Sequence, residues 1–285
     1  MMLLAILLAS CQTPLSATDS ESDSGAIGGD SGTPDSSGPG VEYTGGTGPF
    51  AVQKETGSVA GQDVVWYTPE GSPEFALAWS HGFARGPEQH ASVAALAASW
   101  GFLVVTPRLP SLSDHQANAD FLATDLRDAA LERGAAHFGY VGHSAGGLAS
   151  LLAAADSEAW VLVGLDGVDA SGLGVDAAGS VEAPALLLAG EPSTCNSSGN
   201  GRDWVPGGSV RELVVNGASH CDFESDTDGT CEAFCGAADP ARQTAVQTWT
   251  MAWLVAQAGG DAGDWVAGGA QEQAAVADDT ISVGW

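Results

Sequence analysis

Residues 138–150 read FGYVGHSAGGLAS, and the fold of the chain is decided by how that stretch is understood. Phe138–Val141 is a short apolar run of strand formers, and Leu148–Ala155 is a run of small and apolar residues at helix-compatible spacing. Between them stands Gly142-His143-Ser144-Ala145-Gly146. A strand entering a helix through G-x-S-x-G is the sequence form of a nucleophile elbow. Its serine occupies a sharp, strained turn, and the residues two positions either side must be small because strand and helix crowd together there. The helix N-terminus also offers a free backbone N–H where negative charge can develop. A bare match weighs little in a chain holding 39 glycines among 285 residues; the weight comes from the single match falling where an apolar strand meets a helix.

Outward from this stretch, strand and helix signals alternate. Phe50–Lys54 and Val64–Tyr67 suit an opening antiparallel pair, and Phe75–Ser80 a buried strand. Pro87–Trp100 fits a helix, Phe102–Thr106 a strand and Ala117–Arg133 an amphipathic helix. Val161–Leu165, Ala185–Leu188 and Val210–Val215 read as further strands, and a last helix is expected from about Pro240 to Ala258. The tail beyond carries no clear signal. Such alternation predicts an α/β domain with a largely parallel sheet and helices on both faces.

A serine hydroxyl needs a base to take its proton and a third group to orient that base. In a doubly wound sheet these partners come from loops at the carboxyl ends of later strands. His220 is the only histidine after the elbow, and it sits just past the last strand expected before the final helix. His143 should pack away from the reacting centre, while His90, His115 and His137 read as structural or solvated. For the acid, Ala189-Gly190-Glu191-Pro192-Ser193 follows the Pro184–Leu188 strand, with serine where an aspartate is often found. The preceding strand ends Leu165-Asp166-Gly167-Val168-Asp169, so Asp166 is the expected acid, with Asp169 and Glu191 as alternatives. Trp79-Ser80-His81-Gly82-Phe83 follows the third strand, and the N–H groups of Phe83 and Ala145 are expected to converge as an oxyanion hole.

The chain opens MMLLAILLAS, too short an apolar segment to span a bilayer and typical of a targeting signal. Leu8-Ala9-Ser10-Cys11 resembles a bacterial lipobox, although no basic residue precedes the apolar run. Residues 1–10 are thus expected to be a signal peptide and Cys11 a lipidation site. Residues 11–48, rich in Ser, Asp, Gly, Thr and Pro, are expected to be a disordered tether. Residues 49–285 would form one domain, exported and held to a membrane only through the lipid anchor. The formal charge of −28, from 36 acidic and 8 basic residues, excludes nucleic acid as a partner and disfavours polyanionic substrates. Cys195, Cys221, Cys231 and Cys235 are expected to form two disulfides rather than a zinc site, because their spacing matches no usual zinc motif. Cys231 and Cys235, four residues apart, should each pair with Cys195 or Cys221.

Ser80-His81-Gly82-Phe83 and Gly142-His143-Ser144-Ala145-Gly146-Gly147 resemble the α/β-hydrolase superfamily, in particular its cutinase-like polyester hydrolases and its chlorophyllases. Leu165-Asp166-Gly167-Val168-Asp169 is similar to the chlorophyllase stretch that supplies the acid, with glycine where proline is usual. Ser219-His220-Cys221-Asp222-Phe223 is similar to the stretch around that family's base. The resemblance spans about residues 50–258. It implies an α/β-hydrolase fold and a serine esterase with a Ser144–His220–Asp166 triad, acting as a monomer on small or polymeric esters with no cofactor and no metal. An amidase, a peptidase or an acyltransferase on the same fold, or a non-catalytic surface binding module, are the alternative readings.

Overall fold

Branched apolar runs alternating with Ala-rich amphipathic stretches give this chain an α/β architecture, described by a computed structural model over residues 40–285. Its strands are β1 (Val52–Val59), β2 (Gln62–Pro69), β3 (Phe75–Ser80), β4 (Leu103–Pro107), β5 (His137–His143), β6 (Leu162–Leu165), β7 (Ala185–Ala189), β8 (Val210–Val215) and β9 (Ile281–Val283). Among the described residues these form one nine-stranded sheet in the order β1-β2-β4-β3-β5-β6-β7-β8-β9. From β4 to β8 neighbouring strands run parallel; β1, β2 and β9 join antiparallel at the two ends.

The helices are α1 (Ala91–Ser99), α2 (His115–Phe121), α3 (Arg127–Glu132), α4 (Ala145–Ala155), α5 (Leu173–Ala178), α6 (Gly229–Cys235), α7 (Pro240–Gln257) and α8 (Ala270–Ala277). A single π turn, Leu122–Leu126, joins α2 to α3. Side chains alternate across a strand, and here they feed two cores. Leu77 and Trp79 of β3 pack with α1 and α7 on one face, whereas Ala76 and Ala78 pack with α2, α3 and α4 on the other. Helix α4 is buried along nearly its whole length, which is why small and apolar residues fill it.

Strand order places the site. Leaving β3, the chain adds β4 on one side and then returns to lay β5 on the other. The carboxyl ends of β3 and β5 therefore flank a topological switch point, where doubly wound sheets leave a crevice for ligands. Ser80 is paired with Gly142 across these strands, so the residues that follow each, His81-Gly82 and His143-Ser144, meet at that crevice.

One sequence expectation needs correction, and one silent stretch proves to be structured. The tether does not reach residue 48. Glu42 pairs with Asp261, and Tyr43 is buried between Trp100 and Trp265, at ring-centroid distances of 4.9 and 5.3 Å. The Tyr43 hydroxyl donates to Thr248 O (3.1 Å), and Trp265 Nε1 donates to Tyr43 O (3.1 Å). Full burial of one such aromatic side chain stabilises by about 1.5–3 kcal/mol, enough to pin a polar, glycine-rich segment to the domain. The tail is also structured: α8 packs beside β9, which closes the sheet against β8. Residues 1–10, Cys11 and the first part of the tether lie outside the described residues. Among the described residues no helix is long and apolar enough to cross a membrane.

Candidate active site

The turn after β5 has the geometry expected of an elbow. Ser144 has φ 56° and ψ −123°, in the left-handed half of backbone space, and it caps α4. A non-glycine residue held there costs on the order of 1–3 kcal/mol and persists only when its surroundings over-determine it. They do: a Cβ on Gly142 would run into the Gly146 carbonyl, and one on Gly146 into the His81 carbonyl. Glycine at both positions is therefore a packing requirement of the turn.

Asp166, directly after β6, is also left-handed (φ 44°) and 2% exposed. Its Oδ2 lies 2.6 Å from His220 Nδ1. Its Oδ1 accepts from Gly190 N–H at 3.0 Å, and Asn196 Nδ2 donates to Oδ1 and Oδ2 at 3.1 and 3.2 Å. The other two carboxylates considered for this role lie elsewhere. Asp169 caps α5, accepting from Gly174 N, Val175 N and Trp204 Nε1. Glu191 accepts from Gly217 N–H on the surface. Of the three, the fold brings only Asp166 to the histidine.

His220 opens a 3-10 turn (His220–Phe223) five residues past β8, a turn closed by Ser219 and Asp222 capping one another. Ser144 and His220 line the same cleft, of about 410 Å³. No hydrogen bond joins their side chains among the described residues.

Gly82 lies against Ser144: a Cβ added to it would stand 3.1 Å from the serine Cβ. His81 sets the peptide that follows. Its Nε2 accepts from Leu109 N–H (3.1 Å), so Nδ1 carries the proton and donates to Gly82 O (2.8 Å). Arg85 N–H reaches the same carbonyl at 3.2 Å. With Gly82 O tied down, the trans peptide sends the Phe83 N–H the opposite way. Burial pushes the His81 ring below its ordinary pKa, which keeps it in this neutral form. His81 was visible in the S-H-G-F motif, but only the structure reveals its task.

Phe83 is 61% exposed and borders both the main cleft and a smaller cavity of about 160 Å³ on the other side, reaching Leu109, Leu112 and Ala145. Helix α6 walls the main cleft and presents Phe234, 80% exposed. The cysteines pair as Cys195–Cys235 and Cys221–Cys231, so α6 carries one end of each bridge. Because of this, the sulfurs of Cys221, Cys231 and Cys235 lie within 4.8 Å of one another. Across the cleft, Arg85 makes a bidentate pair with Glu224 (2.7 and 2.8 Å) and reaches Asp228, the N-cap of α6, at 3.0 Å. The Glu224 carboxylate holds the Arg85 guanidinium in its charged form.

His143 departs from its expected place. Instead of packing away, it lines the cleft, with its ring 4.4 Å from that of His220 and stacked at 6.4 Å on Phe223. Complete burial, reinforced by His220 beside it, holds His143 neutral well below the usual imidazole pKa. The Glu224 carboxylate is 3.9 Å from His143 Nδ1 and is already satisfied by Arg85.

A scan against protein-family models finds no match to this chain, and no curated protein matches it.

Proposed function

We propose that this protein is a serine hydrolase of the α/β-hydrolase type that cleaves carboxylic esters. The observation that carries the reading is the 2.6 Å contact between His220 Nδ1 and a buried Asp166, beside a serine at a strained turn that opens on the same cleft. In this reading His220 Nε2 accepts the Ser144 proton as Oγ attacks the ester carbonyl. Asp166 keeps the proton on Nδ1 and stabilises the imidazolium as it forms. The Phe83 and Ala145 amides hold the oxyanion; the imidazolium then protonates the leaving alcohol. Water, deprotonated by His220, releases the acid and restores Ser144.

The test is covalent and catalytic together. A fluorophosphonate probe is expected to add once, to the Gly142–Gly147 peptide, and Ser144→Ala to abolish both labelling and turnover across a chain-length series of chromogenic esters. A folded wild-type domain that neither labels nor hydrolyses any of them favours the non-catalytic reading. Two disulfides fit an oxidising compartment and so an exported protein; the proposal that it is also anchored through Cys11 rests on the lipobox-like sequence alone. Cys11→Ser is expected to move it from the membrane to the soluble exported fraction; a wild type that is already soluble overturns the anchor.

A further inference from the structure

The loop at the end of β7, where an acid is often found in folds of this kind, offers an amide in its place. Asn196 is fully buried, and every polar atom of its side chain is used. Its Oδ1 accepts from Ser193 N–H (2.7 Å) and Gly199 N–H (3.0 Å). Its Nδ2 donates to Glu191 O (2.8 Å) and to both oxygens of Asp166. The loop that presents it is an unlikely one to form by local preference: Ser197, Ser198 and Gly199 are consecutively left-handed, at φ 51°, 61° and 76°. Cys195, immediately before Asn196, is bridged to Cys235 and anchors the turn. A strained, anchored loop whose central side chain spends its two donors on one carboxylate and one carbonyl has a task beyond filling space.

We infer that Asn196 is a positioning residue for Asp166, holding the carboxylate in the plane that meets His220 Nδ1. The inference rests on the hydrolytic reading for its consequence but not for its test. Hydrogen bonds donated to a carboxylate stabilise its charge and draw electron density away from the His220 contact. Without the Asn196 donor, Asp166 becomes a stronger acceptor and the imidazolium paired with it holds its proton more tightly. The His220 pKa should therefore rise. Rotation of the freed carboxylate should also lower kcat while leaving KM nearly unchanged, because Asn196 is not among the residues lining the main cleft.

Two variants separate this from a structural lesion. Asn196→Ala removes donors and acceptor alike. Asn196→Asp retains an acceptor for the Ser193 and Gly199 amides, but its second oxygen takes the place of Nδ2 against Asp166 and Glu191 O. Two carboxylates that close share one proton. While that proton is held it replaces the amide donor, so kcat should exceed that of Asn196→Ala at low pH and lose the advantage as pH rises. An NMR titration of the labelled His220 imidazole needs no substrate. His220 is expected to titrate at a higher pH in Asn196→Ala than in wild type. The acid limb of kcat/KM should move with it, and kcat in Asn196→Ala should fall about ten- to a hundredfold, the scale of a lost hydrogen bond to a charged group. If His220 titrates as in wild type in a folded Asn196→Ala, or if Asn196→Ala and Asn196→Asp lose the same factor in kcat at every pH, the positioning role is overturned. If wild type turns over no ester but the His220 titration moves as expected in Asn196→Ala, the hydrolase reading fails and the Asn196 assignment stands.

Discussion

Three carboxylates compete on paper for the role of orienting His220, and their surroundings assign them different work. Asp166 touches the imidazole; Asp169 holds two amides of α5 and the Trp204 indole; Glu191 holds the Gly217 amide at the surface. Asp166→Asn should lose ~10²–10⁴ in kcat, because an amide at this position favours the wrong tautomer of the base. Glu191→Gln and Asp169→Asn should each stay within about tenfold of wild type in kcat/KM, or ~1.4 kcal/mol of barrier. Asp169→Asn should act on stability, since it weakens three charge-assisted hydrogen bonds at a buried cap. Steady-state hydrolysis of a short acyl ester, with urea denaturation of the same variants, checks all three. A crippled Glu191→Gln beside a nearly active Asp166→Asn would reverse the assignment.

At the scale of elements, α6 is a seven-residue helix that walls the cleft without a long stretch of core beneath it. Isolated helices this short are not stable in water, so its position depends on attachments. The Asp228 cap, the Arg85 side chain and two disulfides supply them. The Cys195–Cys235 bridge spans 40 residues and Cys221–Cys231 only 10. Chain entropy then makes the longer loop worth roughly 1 kcal/mol more, within a usual range of about 2–4 kcal/mol each. The Cys195→Ser/Cys235→Ser pair is expected to destabilise more than Cys221→Ser/Cys231→Ser in denaturant titrations under non-reducing conditions. It should also depress kcat, because the same bridge anchors the loop carrying Asn196. Equal stability losses, with kcat untouched, would mean that neither bridge holds the loop.

For the whole molecule, the consequential feature is a buried group of neutral histidines behind the cleft. His90 is fully buried beside Trp79 and His143, and burial pushes its pKa from 6.5 down to about 3. His143 and His81 are shifted in the same direction. The unfolded chain protonates these rings as pH falls through 6.5 while the folded protein leaves them neutral. Stability is therefore complete above about pH 7 and lost progressively below 6.5, for His90 until about pH 3. Each such ring contributes a slope of up to ~1.4 kcal/mol per pH unit. Relief of the −28 charge works in the opposite sense, so the comparison must be between variants. His90→Phe should gain on wild type as pH is lowered from 7.5 to 5 in urea titrations; a constant difference would show that His90 titrates normally.

What the sequence determined by itself is what short-range physics controls. Apolar periodicity and branched residues were enough to read an α/β domain with a mostly parallel sheet. Crowding at a strand-to-helix turn was enough to read Ser144 at a strained position between obligatory small residues. Chain order led to His220. The tertiary structure decided the rest, because those choices depend on which distant segments the sheet register brings together. Asp166 reaches His220 across 54 residues through the parallel alignment of β6, β7 and β8. Asn196 carries no local mark beyond its neighbour Cys195, and Tyr43 becomes core only because Trp100 and Trp265 close on it. The tail strand β9 is three residues long and gains its pairing solely from the free edge of β8. In each case the stabilising partner lies far off in the chain, and local preference holds no record of it.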